Sequence, residues 1–427
     1  MNEQLNRRDF LTQAAAGSVA LQLGVNSWAA GAAPAEKIVV GVMGLGGRGT
    51  RLAQEFEGQA GSEVAYVCDP DQRRAAQAAE AVEQINGRKP QVIEDFRRIL
   101  DDRAVDVLVI AAPDHWHAPA TILGCKAGKH VYVEKPCSHN PREGELMVAA
   151  ARKYDRRVQL GTQRRSWPAV VEAIQKLREG AIGKVLFARG WYTNPRESIG
   201  HGKTAPVPEW LNYELWQGPA PRTSYRDNVV HYNWHWFWNW GTSEIGNNGV
   251  HTLDVCRWGL GVDYPERVSS SAGKIYFDDD RETPDTHIAT FNYGDKMITW
   301  EGRSWHARGL DSTGSGIAFY GDAGSLVIGG ADYRIYDRKN KELEKQSSPA
   351  GDSDHVANFL DSIRKGTSLH AEIEEGHKST LMCHLGVIAH RVGRELRCDP
   401  KNGHILNDAE AQAFWQREYE PGWEPTV

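Results

Sequence analysis

Apolar positions from Lys37 onward fall in short runs separated by longer segments with a helical period. Residues 37–43 read K-I-V-V-G-V-M, a β-branched run without polar alternation, as expected of a strand buried on both faces. Residues 50–57 read as a helix, 64–68 as a second apolar strand and 71–79 as a second helix. Residues 96–100 read as helix, 105–112 as strand, 118–127 as helix and 130–133 as strand. Alternation of this kind predicts an α/β fold with a doubly wound parallel sheet, and ligands outside the carboxyl ends of its strands. Further along, 185–191, 268–276, 286–293, 297–303 and 317–321 have strand character, several with alternation.

Residues 1–33 follow another pattern. Asn6-Arg7-Arg8-Asp9-Phe10-Leu11 precedes a mildly apolar stretch over 14–28, and Ala29-Ala30-Gly31-Ala32-Ala33 closes it. A charged region, an apolar region and a small-residue site make a signal peptide. The paired arginines before Phe-Leu resemble a twin-arginine signal, which predicts a folded protein exported to the periplasm or beyond. The apolar run is too short and too rich in Gly and Ala for a membrane span, so none is expected after processing.

With 427 residues the chain has room for two or three domains. The boundaries read from it are a signal over 1–33, a nucleotide domain over 34–165, and a substrate and oligomerisation domain over 166–427. A net charge of −6 argues against the basic stripe that a nucleic-acid partner needs. None of the six cysteines sits at C-x-x-C spacing, and His231/His235 lack the acid of an H-E-x-x-H motif, so no metal is expected. A phosphate loop of the G-x-x-x-x-G-K-[ST] type and a G-x-S-x-G elbow are both absent.

The first strand runs into Gly44-Leu45-Gly46-Gly47-Arg48-Gly49, a G-x-G-x-x-G loop opening a helix. Its glycines allow a tight turn, close approach of backbone to a pyrophosphate, and close helix–strand packing, while the helix N-terminus offers free N–H groups. Asp69 ends the second strand at the spacing expected of the carboxylate that binds the adenosine ribose. That carboxylate would repel a 2′-phosphate, so NAD is expected; Arg48, Arg73 and Arg74 leave NADP open. The competing reading of Asp69 is a helix N-cap.

These residues, with Ala112-Pro113-x-x-x-His117, Val133-Glu134-Lys135-Pro136, Gly161-Thr162-Gln163-Arg164-Arg165 and a late helix containing His355-Val356-Ala357-Asn358-Phe359-Leu360, resemble the Gfo/Idh/MocA oxidoreductase family over nearly all of the chain after the signal. The resemblance implies a second α/β domain with a large open, mostly antiparallel sheet that packs against its twin in dimers or tetramers. It implies cofactor contacts from Gly44, Gly46, Gly47, Arg48, Gly49, Asp69, Pro113, His117, Glu134, Lys135 and Gln163. Lys135 becomes the catalytic lysine, His251 the proton shuttle, and Arg164 a substrate residue. Where the family has Asp-x-x-x-His, this chain has Asn247 four residues before His251. An amide can hydrogen-bond a substrate hydroxyl but takes no proton, which leaves the proton work to Lys135 and His251, with Glu244 nearby. Asp254 is expected to be structural.

Residues 231–240 read H-Y-N-W-H-W-F-W-N-W. Alternation there fits a strand face, while the 231/235 and 234/238 spacings fit a helix. Aromatic faces beside amides and imidazoles suit a sugar, so His231, Trp234, His235, Trp236 and Asn247 are candidate substrate residues; core packing would account for as many of them. The expected function is hydride exchange between a sugar or glycoside and a tightly bound nicotinamide. One alternative is an NAD-dependent glycosidase that oxidises, eliminates, adds water and reduces again. A second is a sugar-binding protein without catalysis.

Overall fold

The computed structural model describes residues 37–427. The signal reading over residues 1–33 lies outside the described residues.

Six parallel strands form the first sheet: β1 (Ile38–Met43), β2 (Ser62–Cys68), β3 (Gln91–Ile93), β4 (Val107–Ile110), β5 (His130–Val133) and β6 (Val158–Leu160). Their order is β3-β2-β1-β4-β5-β6, so the winding reverses between β1 and β4. Val40, Val42, Val107, Leu108, Val109 and Ile110 are wholly buried, as their unbroken apolar runs require when helices cover both faces. The first helix starts at Gly47, inside the glycine loop, and runs to Glu57. The second spans Gln72–Asn86, well past the expected end, because Ala75, Ala78, Ala79 and Val82 continue its buried stripe. Asp71 caps this helix by accepting from the Arg73 N–H, so Asp69 is not the cap. The helix after β4 begins at Asp114 rather than at 118 and carries Pro119 in its second turn, where the N–H bond it denies to the His115 carbonyl is replaced by a donor from Arg417 Nη2 at 2.9 Å.

Nine strands form the second sheet: β7 (Val185–Thr193), β8 (Arg267–Gly273), β9 (Thr286–Asn292), β10 (Met297–Arg303), β11 (Ser315–Gly321), β12 (Gly324–Ile328), β13 (Asp332–Asp337), β14 (Glu342–Ser347) and β15 (Leu396–Arg397). The order is β14-β13-β12-β11-β7-β10-β9-β8-β15. Only the β10–β7 pair is parallel. Strands β12 to β15 escaped the sequence reading; β14 is a polar edge strand (E-L-E-K-Q-S) with no buried residue to give it a period. One face packs Ala188, Phe291, Ile298, Trp300 and Phe319 against the helices Pro168–Arg178, Val250–Leu260 and Ile373–Val392. On the other face Ile288, Met297 and Tyr320 stay exposed, and Phe187 stacks on Tyr320 at 5.5 Å.

A buried ion pair ties the end of the first sheet to the second. Arg165 donates through Nε and Nη2 to both Asp254 carboxylate oxygens at 2.8 Å, and Ser379 donates to Oδ1 at 2.7 Å. The expected structural role of Asp254 is consistent with this geometry. The aromatic segment is neither strand nor α-helix: it turns through a 3₁₀ helix at Asn233–Trp236. Part of it serves as packing: Trp234, Phe237 and Trp240 join a separate core with Tyr213, Trp216 and Tyr225, and Trp234 also reaches a cavity described below. No helix of the described residues is long and apolar enough to cross a membrane.

Candidate active site

A cavity of about 460 Å³ opens where the first sheet reverses its winding. The glycine loop forms one wall. Gly44 has φ +86°, and a side chain there would drive Cβ to 2.4 Å from the Ala112 nitrogen. A Cβ on Gly49 would lie 1.7 Å from the Gly44 carbonyl oxygen. At Gly47, by contrast, a Cβ would meet nothing within 4 Å, because that position faces the cavity. The loop is thus held tight from behind and left open in front, at a helix N-terminus whose first N–H groups lack intrahelical partners. Gly49→Ala is therefore expected to destabilise the protein by about 1–3 kcal/mol. It should also weaken nucleotide binding at least about tenfold, since the loop must shift; denaturant unfolding and nucleotide titration check both, and an unaltered variant would refute the cradle.

Asp69 sits at the end of β2. Its Oδ2 accepts from the Leu45 N–H at 2.6 Å and its Oδ1 from the Asp71 N–H at 2.8 Å. Burial pushes its carboxyl pKa up, and the two backbone donors work against that rise. Each oxygen retains a lone pair for a ligand hydroxyl. Arg74 lines the same end of the cavity. So does His231, whose Nε2 is 2.8 Å from Asp71 Oδ2 and whose ring lies beside Trp210. The glycine loop, Asp69 and the open position at Gly47 fit a dinucleotide; His231, expected at the substrate, stands at the Asp69 end instead.

At the other end are Glu134, Lys135, Gln163, His235 and His251. Glu134 Oε1 accepts from Arg48 Nε at 2.8 Å and from Gln163 Nε2 at 2.9 Å. Lys135 Nζ donates to the Asn247 carbonyl oxygen at 2.8 Å and to Asn247 Oδ1 at 3.3 Å. An ammonium has three N–H donors, so one remains for a ligand. No carboxylate lies within 4 Å of this ammonium among the described residues.

Asn247 lies in a π-helical turn, Ile245–Gly249, just before the helix Val250–Leu260. Such turns break the i→i+4 ladder and recur at functional sites. Here Asn248 rather than Asn247 joins His251 in lining the cavity. Asn247, expected to touch substrate, holds the lysine instead. Glu244 does not line the cavity; it is buried and occupied by Arg196, Asn248 and Ser304.

His251 has its pKa driven far below the ordinary histidine range by burial and then by the positive charges of Lys135, Arg164 and Arg48. Its ring is neutral near pH 7, and its Nδ1 has no hydrogen-bond partner. His235 lines the cavity with its ring on Trp234 at 3.6 Å; burial lowers its pKa to about 3.

Of three further candidates, His117 lines the cavity beside Pro113, and Arg164 and Trp236 take other places. Both ring nitrogens of His117 lie against carbonyls, Nδ1 at 2.6 Å from Pro136 and Nε2 at 2.7 Å from Ala112, so it joins the Pro113 loop to the Lys135 loop. Arg164 does not line the cavity; Nη2 donates to Ser315 at 3.2 Å, and burial lowers its pKa to about 10. Trp236 is buried under the Arg196 guanidinium, 4.9 Å from its ring. Residues missed by sequence reasoning are Asn248 and Tyr232, both on the cavity wall with Asp114. Asp114 accepts from Thr242 Oγ1 at 2.6 Å, and burial raises its pKa. Its place after β4 was the available signal; Asn248 and Tyr232 carried none. No group of three His, Cys, Asp or Glu among the described residues could hold a metal ion.

Residues 38–162 match a family model for the NAD-binding Rossmann fold of an oxidoreductase family, and residues 196–424 match the model of that family's C-terminal alpha/beta domain. Among curated proteins, an inositol 2-dehydrogenase of Rubrobacter xylanophilus is 36% identical over 162 residues, 37% of this chain and 45% of the relative. A glycosyl hydrolase family 109 protein of Shewanella sp. is 26% identical over 265 residues, 57% of this chain and 52% of the relative. The chain thus spans about half the length of these relatives. The WlbA dehydrogenase of Bordetella pertussis, solved with NADH and UDP-GlcNAcA, superposes with a TM-score of 0.65 at 18% identity, covering 85% of this chain and 99% of that one. At that identity the likeness concerns the fold.

Proposed function

The chain belongs to the Gfo/Idh/MocA oxidoreductase family, and from that premise we propose that it is an NAD-dependent oxidoreductase of a sugar or glycoside. One observation carries the reading: the open glycine cradle, the unpaired Lys135 ammonium and the neutral His251 ring all face one cavity.

In this reading the N–H groups at Gly46, Gly47 and Arg48 hold the pyrophosphate, and Asp69 takes the ribose hydroxyls. A 2′-phosphate beside that buried carboxylate would be repelled, which favours NAD over NADP. Glu134 and Gln163 lie towards the nicotinamide end. Bound NAD supplies a hydride acceptor for the sugar carbon. Lys135 donates its remaining N–H to the reacting hydroxyl oxygen and stabilises the charge that develops there. His251, neutral, accepts the hydroxyl proton. A carbonyl sugar results.

The name of the Shewanella relative supports a second outcome at the same site, glycoside cleavage; with oxidation and later reduction at one retained nucleotide, it would consume no net cofactor. The Arg7-Arg8-Asp9-Phe10-Leu11 segment supports export by the twin-arginine route. An exported enzyme would keep its nucleotide through every cycle. The exposed Ile288, Met297 and Tyr320 on the uncovered face of the second sheet support a homodimer or homotetramer.

The test is to denature the purified protein and identify the released nucleotide by mass. Near-stoichiometric NAD(H) is expected; a protein that arrives empty and binds added NAD only weakly would sink the retained-cofactor reading. A panel of sugars and glycosides, followed by NADH absorbance and by glycoside cleavage, then separates the two outcomes.

A further inference from the structure

Beside the cavity lies a second hollow of about 280 Å³, lined by Asn194, Arg196, Glu197, Tyr232, Asn233 and Trp236 among others. Tyr232 is common to both. Its ring packs against His235 on the cavity side, with centroids 4.7 Å apart, and is 53% exposed. Its hydroxyl accepts from Arg196 Nη1 at 2.8 Å.

The chemistry of the hollow suits the hydroxyls of a polyol. Asn194 spends one amide N–H on the Tyr192 hydroxyl at 3.0 Å, and Asn233 spends one of its own on the Asn228 carbonyl at 2.8 Å. Each amide keeps its oxygen and a second N–H for a ligand hydroxyl, and Glu197 adds an exposed carboxylate. The one cation, Arg196, is neutralised by Glu244, with Nε 2.7 Å from Oε2. A phosphate or carboxylate would find no free charge here. A sugar ring would find hydroxyl acceptors and an aromatic face for its C–H side.

The hollow is also wired to the reacting lysine. Arg196 holds Glu244, Glu244 Oε1 accepts from Asn247 Nδ2 at 3.5 Å, and Asn247 Oδ1 accepts from Lys135 Nζ at 3.3 Å. Resting on the sugar reading above, we propose that this hollow is an outer saccharide subsite, and that the substrate is a disaccharide or larger glycoside whose second ring lies on Tyr232. Binding energy from that remote ring would orient the lysine and raise kcat.

The experiment uses the full-length, NAD-loaded protein and compares glucose and galactose with maltose, cellobiose and lactose, by calorimetric binding and by turnover. At least one disaccharide should exceed its monosaccharide by about tenfold in kcat/KM, partly in kcat. Glu197→Trp, which fills the hollow, and Asn233→Ala, which removes an acceptor, should each erase that advantage and leave monosaccharide kinetics unchanged. Disaccharide binding that depends on Asn233, without turnover, would keep the subsite and overturn the oxidoreductase reading. Monosaccharide turnover with no disaccharide advantage, an advantage untouched by Glu197→Trp, or no saccharide binding at all would overturn the subsite.

Discussion

Lys135→Met lowers kcat by about 10²–10⁴-fold, or roughly 3–5 kcal/mol of barrier, if the lysine acts on the reacting oxygen as proposed. Methionine keeps the length and apolar stem of lysine but removes the charge and all three donors. The size of the effect follows from the surroundings. Two of the N–H groups are held by Asn247, so the third is aimed without further loss of freedom. No carboxylate among the described residues competes for it, and the neighbouring His251 is uncharged near pH 7. Nucleotide should stay bound, because the cradle is built from Gly44–Gly49 and Asp69 rather than from this side chain. Released nucleotide measured by mass and single-turnover rates check the two halves. A variant with nucleotide in place and kcat within about threefold of the parent would remove Lys135 from the chemistry.

The second large effect is acid unfolding. His115, His287, His355, His377 and His384 are all buried. Burial lowers the pKa of His115, His287 and His384 to about 3, and that of His355 and His377 to about 4. In the unfolded chain each returns to about 6.5. Between those values the unfolded state binds more protons than the folded one, so stability is complete above about pH 7 and falls as pH drops through that window. Each ring contributes about 2 kcal/mol of loss by pH 5, against a total stability of roughly 5–15 kcal/mol. The five together are enough to unfold the protein. Denaturant midpoints should fall steeply from pH 7 to pH 5, with proton uptake on unfolding by these five rings and by the similarly depressed His235 and His251. A midpoint that stays flat over that range would mean that these rings are charged in the folded state.

The first sheet was readable because its strands are buried on both faces. Val40–Val42 and Val107–Ile110 admit no polar residue, so their runs stand out without any period. The glycine loop was readable for a related reason. At Gly44 and Gly49 the backbone of another element lies where a Cβ would be, so the residue type is dictated by contact. Strand β14 was not readable, since a polar edge strand buries nothing. The aromatic segment defeated both periods because a 3₁₀ turn follows neither, and its rings divide among a small core, the cavity wall and the outer hollow.

By itself, then, the sequence carried the α/β class, the glycine loop and the position of Asp69, since each rests on local burial or on short spacing; Lys135 and His251, 116 positions apart, came together only through the family resemblance, and both line the one cavity. Which way the other side chains face was decided only in the folded molecule. Asn247, in a π turn, accepts from Lys135 through both its carbonyl oxygen and Oδ1, across 112 positions of chain. His231 joins Asp71 across 160 positions of chain, and Arg165 joins Asp254 across 89. Those partners are set by how the two sheets pack, and a linear pattern carries information about burial but not about which distant group fills the other side of a contact.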